Sequence, residues 1–298
     1  MRCGLLGRKL GHSYSPQIHA MLGDYSYRLY EKEPEALASF LRAGEFTGLN
    51  VTIPYKKSAV AYCSALSETA RTLGNVNTLL RRPDGTLYGD NTDAFGFQFL
   101  LERSGISVQG KRALVFGSGG ASATVQYVLR KLGAASVTVI SRSGEDNYDN
   151  LERHADAQIL VNATPLGMYP GNGEKPADLL RFPACEGVLD LIYNPAKTAL
   201  LLQAQALGIP CQNGLVMLVA QAKCSAELFT GEKIPDEAIL KIADRVERAQ
   251  KNLVLIGMPG CGKSTVAAAL AQALGRECCD SDLLLVQQMG QTIEAAFA

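Results

Sequence analysis

The chain has 298 residues, enough for two compact domains and part of a third. Its 29 Lys plus Arg balance 29 Asp plus Glu, so no net field selects nucleic acid or an anionic membrane, and the expected partners are small molecules. With 47% hydrophobic and 19% charged residues, no signal-peptide core and no membrane-length apolar stretch, a globular cytoplasmic protein is expected.

In chain order, Leu5 and Leu6 end a first strand, Ser15-Pro16 starts a helix with Ser15 as its cap, and Gly48 to Ile53 reads as another strand. Ser13 and Ser15, two apart before the helix start, read on their own as local caps. Lys56 falls in what looks like the first turn of a helix, where the positive helix end disfavours an ammonium. That suits a general base, with a solvated surface lysine as the alternative. Leu79 to Gly89 reads as a hairpin around Pro83-Asp84-Gly85. Asp93 opens a helix running to about Ser104 and reads as its cap.

A second α/β unit begins at Gly110. Ala113 to Phe116 is a continuous apolar run ending in Gly117-Ser118-Gly119-Gly120-Ala121, with a helix to about Leu132. Val137 to Ile140, Ile159 to Asn162 and Val188 to Ile192 read as further strands. Runs apolar on both faces that alternate with helices imply a doubly wound parallel sheet of the nucleotide-binding kind. The glycine turn sets backbone N–H groups and a helix N-terminus against a diphosphate, although Ser122 stands at the third glycine position of GxGxxG. After the next strand, Ser141-Arg142-Ser143 stands where NAD enzymes carry an acid, which favours NADP over an ordinary exposed arginine. Pro235-Asp236 caps a helix whose Ile239, Ile242, Ala243 and Val246 share one face.

Asn252 to Ile256 reads as a fresh strand running into Gly257-Met258-Pro259-Gly260-Cys261-Gly262-Lys263-Ser264, a complete GxxxxGK[ST] phosphate loop, and a helix from Ser264. Eight cysteines, at 3, 63, 185, 211, 224, 261, 278 and 279, form no CxxC pair and lie at no metal-ligand spacing from a histidine. Reduced thiols are expected rather than disulfides or a zinc site.

The segments HSYSP, NVTIPYK, GNVNT, GDNTDAFGF, GSGGAS, NATPLGM, DLIYNP and NGLVMLVAQA occur in this order between residues 11 and 222. Together they resemble the shikimate dehydrogenase family over about residues 1–248. The resemblance implies an α/β substrate domain (1–104, completed by the helix at about 236–248) and a Rossmann-type NADP domain (105–235). It implies reversible reduction of 3-dehydroshikimate to shikimate by hydride transfer, with Lys56 and Asp93 as the acid–base pair. Ser13 and Ser15 would hold the substrate carboxylate, and Thr52, Asn77, Asp93, Tyr193 and Gln221 would contact the rest of it. Glu68, Gly117, Ser118, Gly119, Gly120, Ala121, Ser141, Arg142, Ser143, Thr164, Ile192 and Gly214 would line the cofactor. The chain departs from the family at Asp146, where a second basic residue is usual, at Ala123, where Arg or Lys is frequent, and at Asn75, where Ala is common.

Residues 250–298 resemble the start of shikimate kinase, including CCDSDLLLVQQMGQTIEAAF. By that resemblance Gly257, Gly260, Gly262, Lys263, Ser264 and Asp282 meet phosphate or substrate, and Ser264 and Asp280 hold magnesium. ATP and Mg would serve only a complete kinase. The lid and later arginines of that fold do not follow, so an incomplete, inactive P-loop α/β fragment is expected. The alternatives are a quinate/shikimate dehydrogenase using NAD and a non-catalytic ligand-binding regulator.

Overall fold

The computed structural model of the chain describes every residue except His12, Ile293, Glu294 and residues 296–298. The histidine of HSYSP and the end of the kinase-like stretch therefore lie outside the described residues. The chain divides into two compact units, Met1–Ala249 and Gln250–Ala298.

The first unit is built on two sheets. In the first, β1 (Arg2–Gly7), β2 (Ser26–Glu31), β3 (Gly48–Val51), β4 (Ala65–Leu66), β5 (Thr78–Arg81) and β6 (Leu87–Asp90) lie in the order β2-β1-β3-β5-β6-β4. β1 is parallel to β2 and β3, whereas β3, β5 and β6 alternate in direction, the last two forming the expected hairpin. The helices α1 (Ser15–His19), α2 (Leu37–Ala43) and α3 (Glu68–Leu73) join these strands, and α4 (Asp93–Ser104) leaves the sheet. The second sheet holds β7 (Arg112–Phe116), β8 (Ser136–Ile140), β9 (Ile159–Asn162), β10 (Gly187–Asp190) and β11 (Cys211–Asn213), all parallel, in the order β11-β10-β9-β7-β8. Its crossovers include α5 (Gly120–Lys131) and α6 (Ala199–Ala206), and α7 (Leu215–Thr230) and α8 (Glu237–Gln250) follow.

Period-two alternation divides the apolar strands of the second sheet between two cores. Ala113, Val115, Val161 and Leu189 pack with Phe97 and Leu100 of α4 and Val125 and Val128 of α5. Leu114, Phe116, Leu160 and Val188 pack with Leu200, Leu201 and Ala204 of α6. Both faces are covered, which is why the runs are apolar throughout. Ile239, Ile242, Ala243 and Val246 of α8 are buried as expected, against Ile18, Leu22, Val219 and Ala226. Among the described residues no helix is long and apolar enough to cross a membrane.

Three expectations are corrected. Ser15 is the first residue of α1, not its cap; Tyr14 holds the cap position, and Ser13 Oγ accepts the Ser15 N–H at 3.2 Å. Lys56 lies in a turn, and a short 3-10 helix begins only at Ser58. The Lys56 carbonyl is taken by the Val76 N–H at 2.9 Å instead of by a following helical turn, so Lys56 does not sit in the first turn of a helix of its own. In the second unit α9 (Lys263–Leu274) and α10 (Ser281–Met289) form, but residues 252–256 do not make a strand. A strand needs a neighbour to satisfy its backbone, and no described residue of this unit is in one. Val254 and Ile256 are accordingly 78% and 89% exposed.

Polar residues end the buried strands β9 and β10. Asp190 Oδ1 accepts from Asn162 Nδ2 (3.0 Å) and the Ile192 N–H (3.1 Å), and Oδ2 accepts the Thr198 hydroxyl (2.7 Å). Burial pushes the Asp190 carboxyl up to about 6, against the lowering effect of these bonds. The folded protein thus resists ionisation. The stabilising contribution is whole below about pH 4 and is lost as pH rises through 6. Relative to Asp190→Asn, the wild-type chain is expected to lose about 1–3 kcal/mol between pH 4 and pH 7 in denaturant unfolding. A difference that stays constant across that range would rule out titration of Asp190 there.

Candidate active site

In-register pairing sets Phe116 beside Ile140 and Asn162, and Asn162 beside Asp190. The segments that follow emerge side by side at the C-terminal edge of the sheet: Gly117 to Ala121, Ser141 to Ser143, Thr164 and Ile192. β7 continues to β8 on one side while β9 lies on the other, so the glycine loop stands where the strand order reverses, the usual crevice of such sheets. Gly117 has φ +101°, and a Cβ there would lie 2.9 Å from the Ala163 carbonyl oxygen and 3.0 Å from Thr164 Cγ2. Thr164 is held by Asn162, whose Oδ1 accepts its N–H (3.0 Å) and its hydroxyl (2.6 Å). Gly214 caps α7 and donates its N–H to Ile192 O at 3.1 Å; a Cβ would sit 2.1 Å from the Leu191 carbonyl oxygen.

The start of α5 fits a diphosphate. Gly119 is its cap and no side chain bonds its first N–H groups, which leaves bare donors at the positive helix end. Glu68, exposed, opens α3, which packs on α5. Arg142 and Ser143 are exposed directly after β8, with Ser141 half-buried beside them. Asp146, where the family usually has a second basic residue, is turned to His154, with Oδ1 at 2.8 Å from Nε2.

Lys56 Nζ lies 2.6 Å from Asp93 Oδ2, with side-chain exposures of 19% and 11%. Asp93 does not cap α4; Thr92 holds that position and Asp93 is the first helical residue. Asn77 Nδ2 donates to Asp93 Oδ1 (2.9 Å) and Gln221 Oε1 (3.3 Å). Its orientation is dictated by its other end, since Asn77 Oδ1 accepts the Thr92 backbone N–H at 2.7 Å and the Thr78 hydroxyl at 3.0 Å. Behind them Ser225 of α7 accepts from Asn50 Nδ2 at 2.7 Å, and its Oγ stands 2.9 Å from Thr78 and 3.1 Å from Thr92. Tyr27 donates its hydroxyl to Asn50 Oδ1 at 2.8 Å. Asn50, Asn77, Thr78, Thr92 and Ser225 are all buried. Asn75 is explained similarly: its Oδ1 accepts Asn91 Nδ2 at 2.7 Å, a tie that an alanine would lack.

The other expected residues have local partners of their own. Ser13 and Ser15 stay together, the Thr52 N–H is fixed to Leu6 O at 2.9 Å, and Tyr193 meets Tyr14 edge-on with ring centres 5.5 Å apart. The Lys56 stem runs beside the glycine loop, its Cδ 3.9 Å from where a Cβ on Gly120 would stand. The arrangement is thus an ammonium paired with a carboxylate, with its stem next to bare helix-end donors. A separate cavity of about 500 Å³ adjoins Asn91 and Thr92; it includes neither Lys56, Asp93 nor the glycine loop. Sequence reasoning missed Asn50, Thr78, Thr92 and Ser225. The available signal was a polar side chain at inward strand and helix positions.

In the second unit Lys263 Nζ donates to the carbonyls of Gly257 (2.9 Å) and Met258 (2.8 Å). Ser264 Oγ donates to Asp280 Oδ2 at 3.3 Å, and Asp280 caps α10 through the Asp282 N–H at 3.0 Å. The expected metal ligands Ser264 and Asp280 are therefore neighbours. All eight cysteines are free, and among the described residues no group of three His, Cys, Asp or Glu could hold a metal.

Residues 5–79 match the family model described as shikimate dehydrogenase substrate binding domain, and residues 259–298 match shikimate kinase. The chain is 36% identical over 264 residues to the shikimate dehydrogenase (NADP(+)) of Symbiobacterium thermophilum, covering 78% of this chain and 90% of that one. The crystal structure of Thermus thermophilus shikimate 5-dehydrogenase in complex with NADP(H) and shikimate superposes with a TM-score of 0.74 at 34% identity, covering 82% of this chain and 99% of that one. Quinate dehydrogenase from Corynebacterium glutamicum, in complex with NAD, gives a TM-score of 0.74 at 28% identity, with 80% and 97% covered. The ordered motifs, the parallel sheet with its glycine loop and these relatives agree: the chain belongs to the shikimate dehydrogenase (NADP+) family of oxidoreductases.

Proposed function

We propose that the chain catalyses the reversible reduction of 3-dehydroshikimate to shikimate with NADPH, with Lys56 and Asp93 as its acid–base pair. The observation that carries this reading is the 2.6 Å contact between Lys56 Nζ and Asp93 Oδ2, with the lysine stem lying along Gly120. The relative from Thermus thermophilus, solved with NADP(H) and shikimate, supports the choice of both ligands. When bound, the nicotinamide supplies or accepts the hydride. Making an alcohol from a ketone also requires one proton at the oxygen, and Lys56 Nζ gives it; in the reverse direction Lys56 takes it back. Asp93 holds the ammonium through Oδ2 while Asn77 steadies Oδ1.

In this reading residues 1–104, with the helix at about 236–248, form the substrate half, and residues 105–235 form the nucleotide half. Ser13 and Ser15 hold the substrate carboxylate, and Thr52, Asn77, Tyr193 and Gln221 meet the rest of the molecule. Glu68, Gly117 to Ala121, Ser141 to Ser143, Thr164, Ile192 and Gly214 line the dinucleotide, with Arg142 on the 2′-phosphate. A second reading, quinate oxidation with NAD, draws support from the quinate dehydrogenase likeness.

For the segment 250–298 we propose no kinase turnover. Its described residues include no strand and no buried side chain, and Lys263 is engaged by its own loop. ATP and magnesium would serve Lys263, Ser264, Asp280 and Asp282 only in a complete kinase.

Lys56→Ala is expected to lower kcat by roughly 10²–10⁴-fold while shikimate still binds, measured by nicotinamide absorbance and calorimetry; near-normal turnover would remove Lys56 from the chemistry. The same absorbance assay, run with shikimate and quinate against NADP and NAD, should give its lowest cofactor KM with NADP and its highest kcat/KM with shikimate. Quinate with NAD as the best pair would install the second reading instead. No phosphorylated shikimate is expected when the chain is incubated with shikimate, ATP and magnesium, and its formation would overturn the proposal for residues 250–298.

A further inference from the structure

The loop that carries Arg142 is closed on itself. The Ser141 N–H donates to Asp146 O at 3.2 Å, Asn147 Nδ2 to Gly144 O at 3.3 Å, and Asn150 Nδ2 to Glu145 O at 2.9 Å. A 3-10 helix at Tyr148–His154 follows, started by a reciprocal cap between Asn147 and Asn150. From the last residue of that helix His154 reaches back, and its Nε2 stands 2.8 Å from Asp146 Oδ1. The loop thus presents one cation, Arg142, and two anions, Glu145 and Asp146, at the edge where Arg142 and two serine hydroxyls favour a 2′-phosphate.

We infer that Asp146 and His154 are a specificity-determining pair, in which the imidazole holds by hydrogen bond a carboxylate that would otherwise repel the 2′-phosphate at Arg142. The inference rests on the reading that Arg142 takes this phosphate. The side chains from Ser141 to Asp146 sum to one negative charge, and the bond to His154 keeps the Asp146 share of it engaged within the loop. NAD, which lacks the phosphate, does not feel the pair. Other charged and titratable groups are engaged differently. Tyr148 stacks on Phe116 near Arg142, and Arg181 from the 3-10 helix Leu179–Arg181 takes Glu152 at 3.4 Å. Asp149 and Arg153 share the 3-10 helix with His154 and offset one another in charge.

Dissociation constants of NADP and NAD, measured by isothermal titration calorimetry on the full chain at one fixed pH, test the pair. His154→Ala leaves the Asp146 carboxylate without its partner ring and is expected to lower the preference for NADP over NAD about fivefold. Asp146→Asn should raise the preference about fivefold above wild type. NAD binding, measured alongside, reports that each variant is folded. An unchanged preference in His154→Ala or in Asp146→Asn overturns the pair. Arg142→Ala separates the two levels: if it leaves the NADP preference intact, the phosphate reading fails and the pair with it, whereas loss of preference there with unaltered behaviour in the other two variants removes the pair alone.

Discussion

A carboxylate withdrawn from water has to be met by donors on both oxygens, and Asp93 places that demand on the first turn of α4. Lys56 answers at one oxygen and Asn77 at the other. Asn77 can turn its NH₂ that way only because its carbonyl is occupied by the Thr92 N–H and the Thr78 hydroxyl. Those hydroxyls lie against Ser225, and Ser225 is in turn bonded by Asn50. The position of one ammonium group thus depends on a run of buried bonds through β3, β5, the segment before α4, and α7. Such a network is stable only when every member is satisfied, because each partner removed leaves a buried polar group unpaired.

The nucleotide side follows a different logic. Parallel strands in register bring four loops to one edge, Asn162 is bonded to Asp190 across the ends of β9 and β10, and the glycines then fix how closely those loops approach each other. Asn162 and Asp190, at the last paired positions of β9 and β10, convert the end of an apolar sheet into ordered turns carrying Thr164 and Ile192. Hydrophobic burial sets the position of the edge, and a few hydrogen bonds set its shape.

Much of this was legible in the sequence. The runs at 113–116, 159–162 and 188–192 could be read as buried strands because they are apolar on both faces, although the last strand ends at Asp190, and the face of α8 because Ile239, Ile242, Ala243 and Val246 recur at helical spacing. Proline, aspartate and glycine at 83–85 marked the hairpin. What escaped depended on contacts distant in sequence. The Lys56 segment looks helical locally, and it is a turn because Val76 takes its carbonyl. Residues 252–256 have strand composition, but composition supplies no neighbour to pair with. Asp146 read as a misplaced acid, since nothing local announces that His154 will fold back on it. Ser225 is an ordinary small helical residue until Asn50, Thr78 and Thr92 are brought against it.

α7 takes part in both halves of the site. Gly214 at its start is bonded to Ile192 at the nucleotide edge, Gln221 and Ser225 in its middle belong to the network behind Asp93, and its apolar side lies along α4 and under α8. A helix tied at these points makes the two sheets answer to one element: a substitution that displaced α7 would disturb the turn at Ile192 and the support behind Asp93 together, so damage at either end is expected to be felt at the other.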